Sequence, residues 1–345
     1  MICSISGYGA TGSSAVIDLL KEYNNIQLID DIEFKYSYMV DGLQDLEYHL
    51  VKQFSRIVSG DYAIKRFIES TNSIKTPFVH KILDKKTFLK IRDEYINSLI
   101  QCSWWGMESR DYEDGNIIKN IYLLGMKKKI LPFIYENRTR KNWKHSPCRK
   151  LYCSVQPEHF YERSKKFIND ILLAKGFDLS KDIFINQAFE GNDPINSFPF
   201  FNNPKVIVID RDPRDVYLLT KIYGSMGESR WCPRDNVDDF IIYYKAAHKK
   251  NHEDTEDILR INFEDIIYDY DKTVSTIEKF CKLNSNEHIN IKKYFNPEVS
   301  INNTQLFLRN EKFANDIKKI EELLPEYLYD FKKHKKYPDL KGKTF

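Results

Sequence analysis

The strongest structural signal in this sequence lies near its beginning, in Ser6-Gly7-Tyr8-Gly9-Ala10-Thr11-Gly12-Ser13-Ser14. The stretch follows residues 2–5, a short β-prone run, and precedes residues 15–20, whose apolar side chains recur at helical spacing. A strand, a turn rich in glycine and hydroxyl residues, and a helix together direct backbone N–H groups toward a phosphate. The sequence therefore predicts an anion-binding loop between a strand and a helix of an α/β fold.

The loop is a variant of the P-loop. It fits G-x-x-x-x-G-K-[ST] at Gly7, Gly12 and Ser14, but Ser13 stands where the pattern has lysine. In P-loop NTPases that lysine binds the β- and γ-phosphates of the nucleotide. Because the lysine is absent, the predicted ligand is an anion that need not be ATP or GTP.

Length and composition limit the classes of protein to consider. The 345 residues are enough for one large α/β domain or two small ones, and 53 basic against 50 acidic residues give no chain-wide case for nucleic acid. No apolar run approaches the roughly 18 residues of a membrane span, and the first residues read as a core strand rather than a secretory leader. We therefore expect a cytoplasmic protein with reduced cysteines, no nucleic-acid partner and no transmembrane segment.

Two further segments are predicted at the ligand-binding edge of a mostly parallel sheet. A strand at 26–30 ends in an acidic turn that contains Glu33, and carboxyl ends of parallel strands carry the ligand crevice. The apolar run 205–209, typical of a strand buried on both faces, ends at Arg211, with Asp212 as N-cap and Pro213 in the first helical turn. A guanidinium placed there can bind a phosphate, although a salt-bridge cluster is the alternative. Glu33 is either near the loop or a solvated carboxylate.

The remaining pattern alternates strands and helices without a repeat or linker. Strands are predicted at 182–186 and 258–261, and helices at 43–58, 160–175, 237–248, 271–283 and 312–324. Residues 127–150 contain nine Lys or Arg and one acid, Glu136, together with aromatic residues. Such a composition suits a sugar or an anionic polymer, or else a solvated basic loop. His145, Cys148, Cys153 and His159 match no common zinc spacing, so no metal is expected.

Three segments together resemble the sulfotransferases that use 3'-phosphoadenylyl sulfate. Residues 6–20 are similar to the loop of that family that binds the 5'-phosphosulfate. Residues 205–217 are similar to the family's 3'-phosphate segment, R-[DN]-P-x-D. Residues 260–283 are similar to a later segment of the family with the pattern r-x-E-D-L. The resemblance implies a three-layer α/β sandwich with a central mostly parallel sheet, the P-loop NTPase-like sulfotransferase fold. It implies one domain over 1–345, with acceptor-side insertions at 60–160 and 180–204.

The resemblance also implies a reaction and its residues. A sulfuryl group would pass from 3'-phosphoadenylyl sulfate to a hydroxyl or amine of an acceptor, and the basic aromatic middle of the chain favours a carbohydrate. Glu33 or His80 would accept the proton. The donor would be bound by the following residues: Gly9, Ala10, Thr11, Gly12, Ser13, Ser14, Arg211 for the 3'-phosphate, Thr220 and Arg309.

The chain departs from the family pattern at its loop cation. The family's lysine or arginine falls on Ala10, so the charge is expected from elsewhere, with candidates at Lys65, Arg66, Lys75 and Lys81. Two other functions fit parts of the sequence. A P-loop kinase or NTPase acting on a small molecule would explain the loop but not the missing lysine. A non-catalytic protein of the same fold that binds an anionic glycan would explain Ala10.

Overall fold

The chain forms an α/β fold around a central parallel sheet. The computed structural model describes residues 1–72, 82–106, 149–223, 232–250, 254–340 and 342. The strands in these ranges are β1 (Ile2–Gly7), β2 (Gln27–Ile29), β3 (Cys102–Gly106), β4 (Arg149–Cys153), β5 (Ile183–Asn186), β6 (Pro204–Asp210) and β7 (Ile258–Asn262). Five of them form the sheet in the order β2-β5-β1-β6-β7, with every neighbouring pair parallel. The predicted α/β class with a central parallel sheet is confirmed.

Helices cover both faces of this sheet. They are α1 (Ser13–Leu20), α2 (Leu43–Glu47), α3 (Ile57–Ser70), α4 (Lys85–Leu99), α5 (Phe160–Lys175), α6 (Pro213–Leu218), α7 (Val237–Ala247), α8 (Phe263–Tyr268), α9 (Tyr270–Cys281), α10 (Pro297–Ser300) and α11 (Ala314–Leu323). Side chains of α2 to α5 pack on one face, and those of α1, α8 and α9 on the other. The result is consistent with a three-layer sandwich.

Strand β6 shows why these residues form a central strand. Val206 and Val208 belong to the core on one face, and Ile207 and Ile209 to the core on the other. Since successive side chains of a strand point to opposite faces, a run without polar residues fits only a strand covered on both sides. The prediction of a doubly buried strand at 205–209 is confirmed for residues 206–209, while Lys205 is only partly buried.

The structure differs from two of the predictions made from the sequence. The helix predicted at 43–58 breaks: α2 passes into a wider turn at Tyr48–Lys52, and α3 starts only at Ile57. The spacing of apolar residues does not reveal such a break, because Phe54 and Ile57 continue the helical period although both are exposed in the structure. Residues 183–186, inside the stretch 180–204 expected as an insertion, form β5 between β2 and β1, so they are part of the sheet.

A second sheet of two strands lies outside the central one. Strands β3 and β4 pair antiparallel, and Trp105 on β3 is 72% exposed. The segment that connects them, which holds most of the basic stretch 127–150, lies outside the described residues. Within the described ranges, none of the helices has the length and apolar character to cross a bilayer.

Candidate functional site

The loop between β1 and α1 bends sharply through left-handed backbone conformations. Gly9, Ala10 and Gly12 have φ angles of 86°, 51° and 91°. Glycine is favoured at such angles because it has no Cβ. At Gly12 a second reason applies: a Cβ there would lie 2.4 Å from Cδ2 of Phe263, on α8. The glycine therefore lets the loop turn and lets α8 pack directly beneath it.

The turn leaves a row of backbone donors open. Tyr8 donates its N–H to Oγ1 of Thr11 at 3.2 Å, and Ala15 donates to the carbonyl of Gly12 at 3.0 Å. Between them, no described group accepts a hydrogen bond from the N–H groups of residues 9–14. Helix α1 has neither a side-chain cap nor an acidic residue in its first turn. Open N–H groups at a helix start attract an anion, so the predicted anion site has the required geometry.

Buried serines of β1 fix the segment that follows β5. Oγ of Ser4 accepts hydrogen bonds from the N–H groups of Ala188, at 2.9 Å, and of Phe189, at 3.2 Å. Ser6 donates its hydroxyl to the carbonyl of Phe189 at 2.8 Å. Both serines are fully buried. Because buried polar groups require partners, these bonds tie residues 187–192 to the base of the loop.

The turn that carries Glu33 is tied to the same segment. Phe34 donates its N–H to the carbonyl of Asn186 at 2.9 Å, and Ser37 donates its hydroxyl to the carbonyl of Ala188 at 2.6 Å. The carboxyl ends of β1, β2 and β5 therefore meet. The sequence left Glu33 either near the loop or solvated; in the structure it lines a cavity together with loop residues, and its side chain is 51% exposed.

These three strand ends enclose a cavity of about 700 Å³. It is lined by Gly7, Tyr8, Gly9, Ala10, Glu33, Lys35, Tyr38, Gln187, Glu190, Gly191, Asn192, Tyr243, Ala246 and Ala247. Nζ of Lys35 lies 2.5 Å from Oε2 of Glu33. The cavity thus brings Gly9 and Ala10 of the loop together with the Glu33–Lys35 ion pair.

Glu190 is a second carboxylate in this cavity, and no motif of the sequence pointed to it. Desolvation raises the pKa of Glu190, the neighbouring Asp193 raises it further, and Lys250 opposes both. A carboxyl group with a raised pKa in a cavity is a candidate for proton transfer. Its only sequence signal was its position just past β5, in a loop without apolar spacing.

Tyr8 links the loop to β7, the strand at one edge of the sheet. Its ring stacks on His248 at 4.0 Å between centroids, and its hydroxyl accepts from Nη1 of Arg260 at 2.9 Å and donates to the carbonyl of Gly191 at 3.2 Å. Burial raises the pKa of Tyr8 to about 12, although Arg260 opposes the shift. The hydroxyl is therefore protonated at neutral pH and serves as a fixed strut for the loop.

Arg211 lies behind the loop. It is 2% exposed, and its guanidinium carbon is 4.4 Å from the centroid of the Phe263 ring. Nη1 donates to the carbonyl of Ala10 at 3.3 Å, and Nη2 donates to the carbonyl of Asn303. Burial lowers the pKa of Arg211, and nearby Asp215 counters the effect. The residue therefore connects the loop to the segment after α10, while its buried Nε has no partner among the described groups.

An ion-pair cluster surrounds this arginine. The Asp212 carboxylate accepts from the backbone N–H, Nε and Nη2 of Arg214, and Nη1 of Arg214 donates to Glu321 at 2.7 Å. The carboxylate of Asp215 accepts from the N–H groups of residues 305 and 306. Burial raises the pKa of Glu264 well above its usual range, and Asp212 adds to the rise. Asp212 is the N-cap of α6, as predicted.

Of the remaining predicted residues, two bond to groups outside the loop and three lie outside the described ranges. Thr220 is buried and donates to the carbonyl of Tyr217, while Arg309 donates to the carbonyls of Asp339 and Gly342. His80, Lys75 and Lys81 lie outside the described residues.

The two described cation candidates are already neutralised. Lys65 pairs with Asp61 at 2.6 Å, and Arg66 pairs with Asp41 and Asp45. Neither lines the cavity. Among the residues with described positions, no group of three or more metal-ligating side chains occurs.

Comparison with known proteins adds no assignment to this geometry. No protein-family model matches the chain. No curated protein matches its sequence either. The function is therefore argued from the loop, the cavity and the residues that line it.

Proposed function

We propose that this chain transfers a sulfuryl group from 3'-phosphoadenylyl sulfate to a hydroxyl or amine of an acceptor. The observation that carries the proposal is the row of open N–H groups at residues 9–14, because the first two residues of that row, Gly9 and Ala10, line the same cavity as Glu33. The donor is an anion at its 5' end, and such groups bind at open helix starts. The strand order and the loop between β1 and α1 support the P-loop NTPase-like sulfotransferase fold.

The donor roles follow from the chemistry of each group. Backbone N–H groups of residues 9–14 bind the 5'-phosphosulfate and stabilise the charge that develops on the leaving phosphate. The exposed hydroxyl of Ser14 adds a donor, whereas Oγ1 of Thr11 already accepts the Tyr8 N–H and keeps the turn closed. Arg211 is assigned to the 3'-phosphate. On binding it, the guanidinium gives up its hydrogen bond to the Asn303 carbonyl and donates to the phosphate instead. Thr220 and Arg309 stay assigned by resemblance alone.

Glu33 is assigned as the proton acceptor. The acceptor oxygen attacks sulfur, the bond between sulfur and the phosphate oxygen breaks, and the electron pair leaves with adenosine 3',5'-bisphosphate. The proton of the acceptor passes to Glu33, which lines the same cavity as the loop. Much of the rate gain in such an in-line displacement comes from positioning and charge stabilisation. Glu190 is the alternative acceptor within the cavity.

Ligand binding separates the proposed function from its rivals. Adenosine 3',5'-bisphosphate should raise the melting temperature of the chain more than ADP or ATP with Mg²⁺, because binding to the folded state alone stabilises it. Stabilisation by ATP with Mg²⁺ alone would indicate a kinase or NTPase. Binding of a sulfated glycan without any transfer of label from a ³⁵S-donor would indicate a glycan-binding protein.

Turnover separates the two carboxylates. With a panel of glycan acceptors, Glu33→Gln should lower the release of adenosine 3',5'-bisphosphate by about 10²- to 10⁴-fold, the usual contribution of a general base. Donor affinity should stay unchanged. Glu190→Gln is the matched control in the same cavity. If Glu190→Gln abolishes turnover and Glu33→Gln retains it, the base is Glu190.

A further inference from the structure

The proposed reaction needs a cation that the loop itself does not supply. Ala10 is exposed at the mouth of the cavity and carries no charge. The donor is polyanionic, and backbone N–H groups offer only partial charges. Of the cations expected from sequence, Lys65 and Arg66 are paired with acids and do not line the cavity. Within the described part of the chain, a cation in the cavity therefore comes from another element.

Lys35 is the one cationic side chain among the described residues that line the cavity. It begins the short 3₁₀ turn Lys35–Ser37, which the bonds of Phe34 to Asn186 and of Ser37 to Ala188 hold against the segment after β5. Its side chain is 43% exposed, and among the described residues its ammonium group pairs with one carboxylate, that of Glu33, which is itself exposed. The backbone of Lys35 is thus fixed, while its side chain is partly exposed and pairs with a carboxylate that lines the same cavity.

We propose that Lys35 supplies the charge that the loop lacks, by binding the phosphosulfate end of the donor; this rests on the proposed function. An exposed ion pair contributes only about 0–1 kcal/mol, so the ammonium group can leave Glu33 for a more highly charged ligand at little cost. The exchange has a second effect. Once Lys35 binds the donor, the Glu33 carboxylate is free to accept the proton of the acceptor, and Lys35 keeps its own protons throughout.

Binding of adenosine 3',5'-bisphosphate to single variants tests this assignment. Lys35→Ala should weaken binding by about 10- to 100-fold, in line with the loss of a charge-assisted hydrogen bond. Lys319→Ala is a matched control, because Lys319 is 41% exposed and pairs with Asp238 at 2.6 Å, as Lys35 pairs with Glu33. It should bind like the wild type. Equal affinity of Lys35→Ala and Lys319→Ala would overturn the proposal.

A second substitution tests whether the charge of Lys35, rather than its effect on the fold, accounts for the loss of affinity. Ala10→Lys in the Lys35→Ala background restores a cation at the family's own position, and it should recover at least tenfold of the lost affinity. Failure of the double variant to bind better than Lys35→Ala, with an unchanged melting temperature, would contradict a charge role. If Lys35 only positioned Glu33, Lys35→Ala would lose turnover but keep its affinity for the bisphosphate. If the wild type binds no bisphosphate at all, the proposed function itself fails.

Discussion

The unit β1–loop–α1 and the unit β6–turn–α6 start alike and end differently. Both place a helix start at the carboxyl end of a central parallel strand. In the first unit the N-cap is Gly12, without a side-chain acceptor, and no acid stands in the first turn. In the second unit the side chain of Asp212 accepts the N–H of Arg214, and Asp215 lies in the first turn. One helix start is open to a ligand, and the other is filled by the chain's own carboxylates.

The difference shows what turns a helix start into a binding site. Every helix leaves N–H groups without intrahelical partners, so the start attracts an anion of some kind. Where a side chain supplies that anion, the site contributes to stability; where the chain supplies none, a ligand can. Sequence motifs of the two units look equally suited to phosphate, yet only the first one leaves its donors open.

The largest effect should come from removing the acid that fills the second unit. Asp212 is 1% exposed and accepts hydrogen bonds from Arg214 and from the N–H of Tyr329. Asp212→Ala should lower the free energy of unfolding by ~3–5 kcal/mol, because it leaves a buried guanidinium partly unpaired. Urea denaturation measures the loss. Asn236→Ala, which removes only the N-cap of α7, should cost ~0.5–2 kcal/mol. Equal costs would show that the ion pairs around Asp212 add nothing.

Much of this comparison could be predicted from the sequence, because it depends on local pattern. The apolar run of β6, the cap Asp212 and the helical Pro213 are neighbours in the chain, and the structure confirms all three. The glycine turn of the first unit is local too. Patterns over a few residues fix strands, caps and turns, and these elements set the edge at which the cavity forms.

The direction of single side chains could not be predicted, because it depends on distant segments. Arg211 lies behind the loop through contacts with Phe263 and Asn303, which come far later in the chain. Lys35 and Glu190 reach one cavity only because β5 inserts between β2 and β1. No spacing rule links those residues, so the sequence pointed to other cations and to no second carboxylate.

A smaller change in free energy is expected at Arg211, which links the two units. Its substitution should distinguish a direct role in binding the 3'-phosphate from an indirect role in shaping the loop. Arg211→Ala should weaken the binding of adenosine 3',5'-bisphosphate by ~1.5–3 kcal/mol, the contribution of a charge-assisted hydrogen bond. The binding of adenosine 5'-phosphate should weaken far less, because that nucleotide has no 3'-phosphate. Calorimetric titration of both ligands measures the ratio, and a melting curve checks the fold. Equal losses for both nucleotides would instead mean that Arg211 acts by holding the Ala10 carbonyl, at 3.3 Å, and so shapes the loop.

The smallest effect should come from filling the first unit as the second is filled. Ser14 is exposed in the first turn of α1, so Ser14→Asp adds a carboxylate beside the open N–H groups without burying it. Helix stability should rise by ~0.3–1 kcal/mol at low salt, since an acid there complements the helix dipole. Affinity for adenosine 3',5'-bisphosphate should fall about tenfold, equivalent to ~1.4 kcal/mol. Ser14→Asn has the same shape without the charge and should change neither quantity by as much. Opposite signs for stability and affinity are what an open anion site requires; a joint fall in both would mean that the substitution merely disturbs the loop.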